Sequence, residues 1–376
     1  MMRRFAAAAA AAVALAAAPS TFAQGVMDNQ VVLGQSVALT GPAQQLGLDM
    51  QFGASLYFNQ VNARGGVNGR KIVLKTLDDG YESTRAAENT RKLINDEKVF
   101  ALFGYVGTPT SQASLPIFTQ AKVPFVGPFT GAELLRDPVN PYVFNVRASY
   151  YDETEAIVQH LTAMSIDKIA VFYQNDAYGQ AGLAGVERAL KKRKLEIVAR
   201  GTVERNTVEV AKAVQTMRQA QPQAVVMISA YKSCAAFIKE MKKAGANPTF
   251  WNVSFVGSKA LAKELDKEGR GVQISQVVPF PWDSSVPVVK EYRRALDEVK
   301  GEPGFGTLEG YIAAKVMVEG LRRAGRNLTR EGFVQAMESI HDYDVGGFKV
   351  SYGPNQRSGS KFVDLTIISK DQRFVR

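Results

Sequence analysis

Short apolar runs recur along this chain at a spacing of roughly 25–40 residues, the length of a strand–helix–strand unit, and amphipathic stretches separate most of them. The runs centre on residues 31–39, 71–77, 99–104, 123–127, 169–173, 195–201, 224–228 and 272–278. Two of them, IAVFY at 169 and AVVMI at 224, are apolar on both faces, as strands buried inside a parallel sheet are. Between the runs, apolar residues return at helical spacing, as in Leu48, Phe52 and Leu56, or Leu308, Tyr311, Ile312 and Val316. The pattern predicts an α/β architecture with parallel sheets.

The alternation breaks near Arg147-Ala148-Ser149 and restarts at Tyr151. It breaks again at Pro279-Phe280-Pro281-Trp282, beyond which helices are expected over 286–338, then two strand-like runs at 347–352 and 362–370. Two doubly wound lobes fit this better than one very wide sheet. No repeat is short enough for a solenoid.

The first 23 residues read as a cleavable secretory signal peptide. Arg3 and Arg4 precede an apolar run from Ala6 to Ala18, and Thr21-Phe22-Ala23 offers small residues for cleavage. The run is too short and alanine-rich for a lasting membrane span. No Cys stands at the cleavage point, against a lipoprotein anchor. Removing residues 1–23 takes away two arginines and no acid, so a formal charge of +10 becomes +8. The densest basic run, Lys191-Lys192-Arg193-Lys194, ends a helical pattern and suits a solvated face. No nucleic-acid motif accompanies it, so no nucleic-acid partner is expected.

Chemistry signals are sparse. One Cys excludes an intramolecular disulfide framework, and two His leave little room for a histidine metal site. There is no GxSxG elbow, phosphate-binding loop, HExxH or dinucleotide fingerprint. His160 and Cys234 read as helix residues and His341 as part of a polar turn. No catalytic residue, metal or cofactor is expected.

Binding signals are clearer. The run at 99–104 leads into Tyr105-Val106-Gly107-Thr108-Pro109-Thr110-Ser111 and then a helical segment. Thr108 fits the N-cap and Pro109 the first helical position. A helix N-terminus at the end of a parallel strand suits an anion such as a carboxylate; Thr108 simply capping its own helix is the competing reading. The next run opens into Pro128-Phe129-Thr130-Gly131-Ala132, at the same sheet edge. Tyr178 and Tyr231 stand in the corresponding loops of the second half, where aromatics suit the walls of a small-molecule cleft.

With these pieces in order, the chain resembles the leucine/isoleucine/valine-binding protein family, type I periplasmic solute-binding proteins of ABC importers. The resemblance spans the mature chain and rests on Leu39-Thr40-Gly41-Pro42 with Gly47, on Asn62 through Arg70 (NARGGVNGR), and on Asp78-Asp79, Thr108, Tyr178-Gly179 and Tyr231. It implies two lobes joined by three crossing segments: residues 28–146 plus 280–354, and 147–279 plus 355–376. It also implies that Thr108 holds a ligand carboxylate, that Phe129, Thr130 and Gly131 meet the head group, and that Tyr178, Tyr231 and Tyr105 line the cleft. Leu46 stands where the family has an aromatic cover, and Ser254 where amino-acid-binding relatives keep an acid for the ligand ammonium. Among nearby residues Trp251, Asn252, Val253 and Phe255 supply no charge, which favours a carboxylate lacking that ammonium. Glu133, Asp176, Asp283 and Lys232 are further charged residues that spacing alone does not place. The family's disulfide positions hold Tyr81 and Gly107. The expectation is a monomeric, exported, non-enzymatic binding protein that delivers a small amino acid or organic carboxylate to an ABC permease and its ATPase subunits. A sensor subunit serving a membrane signalling partner, or an exported α/β enzyme, are the alternatives.

Overall fold

The computed structural model describes residues 23–376; the segment read as a signal peptide lies outside them but for Ala23. The chain first lays down β1 (Gln30–Val37), α1 (Gln44–Ala63), β2 (Lys71–Asp78), α2 (Ser83–Asn95), β3 (Ala101–Phe103), α3 (Thr108–Gln120), β4 (Phe125–Val126) and β5 (Val143–Phe144). These five strands form one parallel sheet in the order β2-β1-β3-β4-β5. Every residue of β3 and β4 is buried, as strands covered on both faces must be.

The second sheet follows, from α4 (Tyr150–Ala163), β6 (Ile169–Gln174), α5 (Ala177–Lys191), β7 (Arg200–Val203), α6 (Ala211–Ala220), β8 (Ala224–Ile228), α7 (Tyr231–Lys243), β9 (Thr249–Asn252), α8 (Ser258–Leu265) and β10 (Gln273–Gln276). Then α9 (Pro287–Glu298), α10 (Phe305–Ala324) and α11 (Arg330–Glu338) return to the first sheet's side, where α10 packs along α1. A small antiparallel pair, β11 (Tyr343–Asp344) and β12 (Lys349–Val350), precedes β13 (Asp364–Ile368) and β14 (Phe374–Val375). The last two strands add antiparallel edges to the second sheet, ordered β14-β13-β10-β9-β8-β6-β7. The chain therefore crosses between the sheets three times: after β5, after β10 and after β12.

The first crossing is locally encoded. Ser149 caps α4 in a reciprocal box, its hydroxyl accepting from Asp152 N while Asp152 accepts the Ser149 N–H. Strand expectations hold in β1, β2, β3, β4, β6, β8 and β10. The run at 195–201 shifts, because only Arg200–Val203 finds ladder partners on β6. The sequence reading passed over β5 and β9: one is two residues long, and the other, Thr249–Asn252, is too brief to show alternation.

Among the described residues no helix is long and apolar enough to cross a membrane, and no His/Cys/Asp/Glu group is arranged to hold a metal ion.

Candidate functional site

At the carboxyl edge of the first sheet, Gly107 takes φ 107° and stands at the N-cap of α3. Thr108 is thus the first helical residue and Pro109 the second, one place earlier than the sequence suggests. A positive φ open to glycine lets the helix begin sooner. The shift matters chemically, because the cap is Gly107, which has no side chain, and Thr108 is not the capping residue. Its Oγ1 lies 2.7 Å from Thr130 Oγ1, and Thr130 Oγ1 lies 3.3 Å from the Tyr150 hydroxyl. Two fully buried hydroxyls thus meet at a helix N-terminus, where the macrodipole favours an anion.

Gly131 fixes Tyr150. Its carbonyl accepts the Tyr150 N–H at 2.7 Å, and a Cβ at 131 would sit 2.7 Å from that nitrogen. Tyr150 in turn begins a run of aromatic contacts: Tyr150 to Tyr178 at 5.4 Å between centroids, Tyr178 to Phe255 at 4.6 Å, Phe129 to Phe255 at 5.6 Å and Tyr81 to Phe255 at 5.9 Å. Phe129 and Tyr81 come from the first sheet, Tyr178 and Phe255 from the second, so the rings meet between the two. Tyr178 is fully buried with a hydroxyl that has no partner, and burial pushes its ionisation far up, so the phenol stays neutral.

Ser254 does not stand without charge nearby, which corrects the sequence reading. Glu153 Oε2 accepts the Ser254 N–H at 2.8 Å and the Ser275 hydroxyl at 2.6 Å. Glu153 Oε1 accepts Arg147 Nη2 at 2.8 Å and Ser254 Oγ at 3.1 Å. Arg147 Nη2 also contacts Ser254 Oγ, and its Nη1 lies 3.4 Å from Glu309 Oε1. All of these groups are buried. Burial opposes the Arg147 charge, but Glu309 and Glu153 outweigh it and hold the guanidinium protonated. Glu309 is pushed up to about 7, burial outweighing the attraction of Arg147.

Leu46, Asp49, Phe129, Ser254, Gly257 and Glu309 help enclose a cavity of about 10 Å³, room for roughly one water, between residues of the two halves. Burial pushes Asp49 up to about 6 against a hydrogen bond from Gln45. The Tyr231 hydroxyl lies 3.5 Å from the Gln45 N–H and, with Lys232, lines a wider groove outside.

Tyr105 falls elsewhere. Its ring packs 5.2 Å from Phe125 in a separate apolar cluster and its hydroxyl meets Thr90, so it is a core residue on the other side of the sheet. Asp176 caps α5, accepting the Tyr178 N–H at 3.0 Å. Asp283 pairs with Arg376 and Ser285 at the surface, and Glu133 opens a short helical turn. Tyr81 occupies one implied disulfide position, and its ring lies over the other: a Cβ on Gly107 would come 2.3 Å from Tyr81 Cε2. Asp78 of the family-like pair binds the loop after β1, accepting from Leu39 N at 2.8 Å and Thr40 Oγ1 at 2.6 Å. That part of the motif shapes the sheet edge.

Residues 30–367 match the model of a family described as periplasmic binding protein. The chain belongs to that family. It is 26% identical over 339 residues to Leu/Ile/Val-binding protein homolog 7 from Brucella abortus (strain 2308), covering 86% of this chain and 84% of the relative. A solved possible leucine/isoleucine/valine-binding protein from Rhodopirellula baltica SH 1 superposes with a TM-score of 0.89 at 35% identity, covering 93% of this chain and 96% of that one. A substrate-binding periplasmic protein from Ralstonia solanacearum gives a TM-score of 0.87 at 32% identity, covering 92% and 99%. These matches place the periplasmic binding protein among the leucine/isoleucine/valine-binding type, with two parallel-dominated sheets joined by three crossings.

Proposed function

We propose that the mature chain works in the periplasm as the substrate-binding component of an ABC importer, capturing a small amino acid or organic carboxylate between the sheets. The observation that carries this reading is the buried Thr108–Thr130 hydroxyl pair at the start of α3, 2.7 Å apart, with Gly107 rather than Thr108 at the cap position. Residues 28–146 plus 280–354 act as one body and 147–279 plus 355–376 as the other, turning about the three crossings. The ligand carboxylate sits on Thr108 and Thr130, with the rings of Phe129, Tyr178 and Phe255 around its body. Closure then presents both bodies to the permease together, which lets the transporter distinguish loaded from empty protein. The activity is capture and release without turnover.

Native mass spectrometry of protein purified from the periplasm tests this directly. A co-purifying small acid whose loss follows Thr108→Ala supports the reading. A bound species chemically altered on incubation would show an enzyme instead.

A further inference from the structure

The turn at 80–83, between β2 and α2, reaches over to the second sheet's loops. Glu82 Oε1 accepts Asn206 Nδ2 at 2.6 Å, and Glu82 Oε2 accepts Arg205 Nη2 at 3.2 Å. Ser83 Oγ accepts Arg205 Nη1 at 3.0 Å, and the Gly80 carbonyl accepts Asn206 Nδ2 at 3.1 Å. Within this turn Tyr81 is fully buried, and its hydroxyl accepts Gln174 Nε2 at 3.2 Å from the end of β6.

Tyr81 is held in that pose at a cost. It has φ 64°, a left-handed conformation that a bulky side chain adopts only when its surroundings enforce it. Asp79 supplies the enforcement: its Oδ1 accepts the Tyr81 N–H at 2.8 Å, and its Oδ2 is fixed by Ser36 Oγ at 2.7 Å. Gly107 supplies the space, since any side chain there would strike the ring. The ring then lies 5.9 Å from Phe255 and within 6.0 Å of the Arg205 guanidinium, both from the opposite side of the cleft.

We infer that Tyr81 is a positioning residue of the binding cleft: with Gly80 and Glu82 it holds the two bodies together through protein contacts alone, and it fixes Phe255 as a wall of the ligand site. The inference rests on the two-body reading above and adds that a closed population exists before ligand arrives. Ligand then enlarges that population, and the grip of the turn sets how much binding energy closure consumes. A typical net hydrogen bond shifts a two-state equilibrium by roughly twofold to tenfold, so several together make a measurable closed fraction.

The test is a distance measurement by pulsed electron resonance on mature protein stripped of small molecules by unfolding and refolding. Spin labels go on Arg91→Cys in α2 and Lys212→Cys in α6, both exposed, while Cys234 is buried and stays unlabelled. With no addition, a short-distance population is expected. Tyr81→Ala and, separately, Asn206→Ala each reduce it by about threefold or more, and Tyr81→Phe, which keeps the ring, restores part of it. A thermal midpoint unchanged in Asn206→Ala separates closure from overall stability. Absence of the short distance in stripped protein, or its persistence in both alanine variants, overturns the inference. If the short distance appears only with millimolar leucine or 3-methylbutanoate, the two-body reading stands and this inference falls. If it appears under none of these conditions, this inference falls, and the same measurement on protein as purified, before stripping, decides the two-body reading.

Discussion

Glu153 and Ser254, 101 residues apart in sequence, are joined by a 2.8 Å hydrogen bond from the Ser254 backbone to a fully buried carboxylate. An acid does stand beside Ser254, brought by α4 rather than by the local sequence. Four donors already occupy its two oxygens, which is about the full capacity of a carboxylate. Its charge is matched by Arg147, whereas Glu309 holds only a longer contact to the same guanidinium.

Removing Arg147 takes the ion-pair partner from both buried acids, Glu153 and Glu309. Arg147→Met is therefore expected to destabilise the fold by about 3–5 kcal/mol, the range for a buried pair broken on one side. Adding Glu153→Gln should recover part of that loss. Chemical denaturation of the single and double variants checks both statements, and an unchanged midpoint in Arg147→Met would show that the cluster does not support the fold.

Thr108→Ala is expected to weaken a carboxylate ligand by roughly 1.5–3 kcal/mol, as for hydrogen bonds to charged groups. Thr108 is also fully buried and bonded to Thr130, so a modest fall of the thermal midpoint is expected beside the loss of affinity. Calorimetry with the ligand found by mass spectrometry, beside a thermal scan, reads the two effects separately.

Stability should fall as pH rises from about 4 to about 7. Burial raises Glu309 from 4.5 to about 7, and Asp49 and Asp79 each from 3.8 to about 6. Over that window the unfolded chain releases protons that the folded chain keeps, so their stabilisation is full below the unfolded values and is lost as pH passes the folded ones. Asp78 works in the opposite sense. Hydrogen bonds from Thr40, Leu39, Gly80 and Arg85 outweigh its burial and hold it well below 3.8, so its contribution disappears only in strong acid. Glu309→Gln should flatten the upper part of the decline in a series of thermal midpoints across pH.

The parallel strands were legible because buried β6 and β8 carry unbroken apolar runs. Thr108 and Thr130 were legible because both follow such strands at one sheet edge. Tyr105 was misread for a related reason. A tyrosine just past β3 can turn to either face, and only the packing of Phe125 and Phe118 decides that it joins the core. Glu153, Arg147 and Glu309 carried no local signal, since α4, the first crossing and α10 meet only in three dimensions. Tyr81 stands at a position where the family resemblance implies a cysteine, but its use as a ring depends on the space left by Gly107.

Export makes a separate expectation. Thr21 and Ala23 satisfy the small-residue rule after the apolar core, so the released protein should begin at Gln24. Intact-mass measurement of periplasmic protein decides it, and retention of residues 1–23 would overturn cleavage at this site.

Gly131→Ala tests whether the site is held by backbone contact. The added Cβ would lie 2.7 Å from Tyr150 N and 2.6 Å from Tyr150 Cδ1. A nitrogen at the start of α4 cannot step aside as the tip of a flexible side chain could, so the chain at 131 must move instead. That movement strains the Gly131 carbonyl bond to Tyr150 and draws the Tyr150 hydroxyl away from Thr130. The expected cost is about 1–3 kcal/mol of stability, typical of overpacking, together with a change in near-ultraviolet circular dichroism from the displaced rings. Gly353→Ala is the matched control, because a Cβ there meets nothing within 4 Å and its φ is not positive. Equal midpoints for the two variants would mean that the loop after β4 yields freely, and Tyr150 would then owe its place to α4 alone.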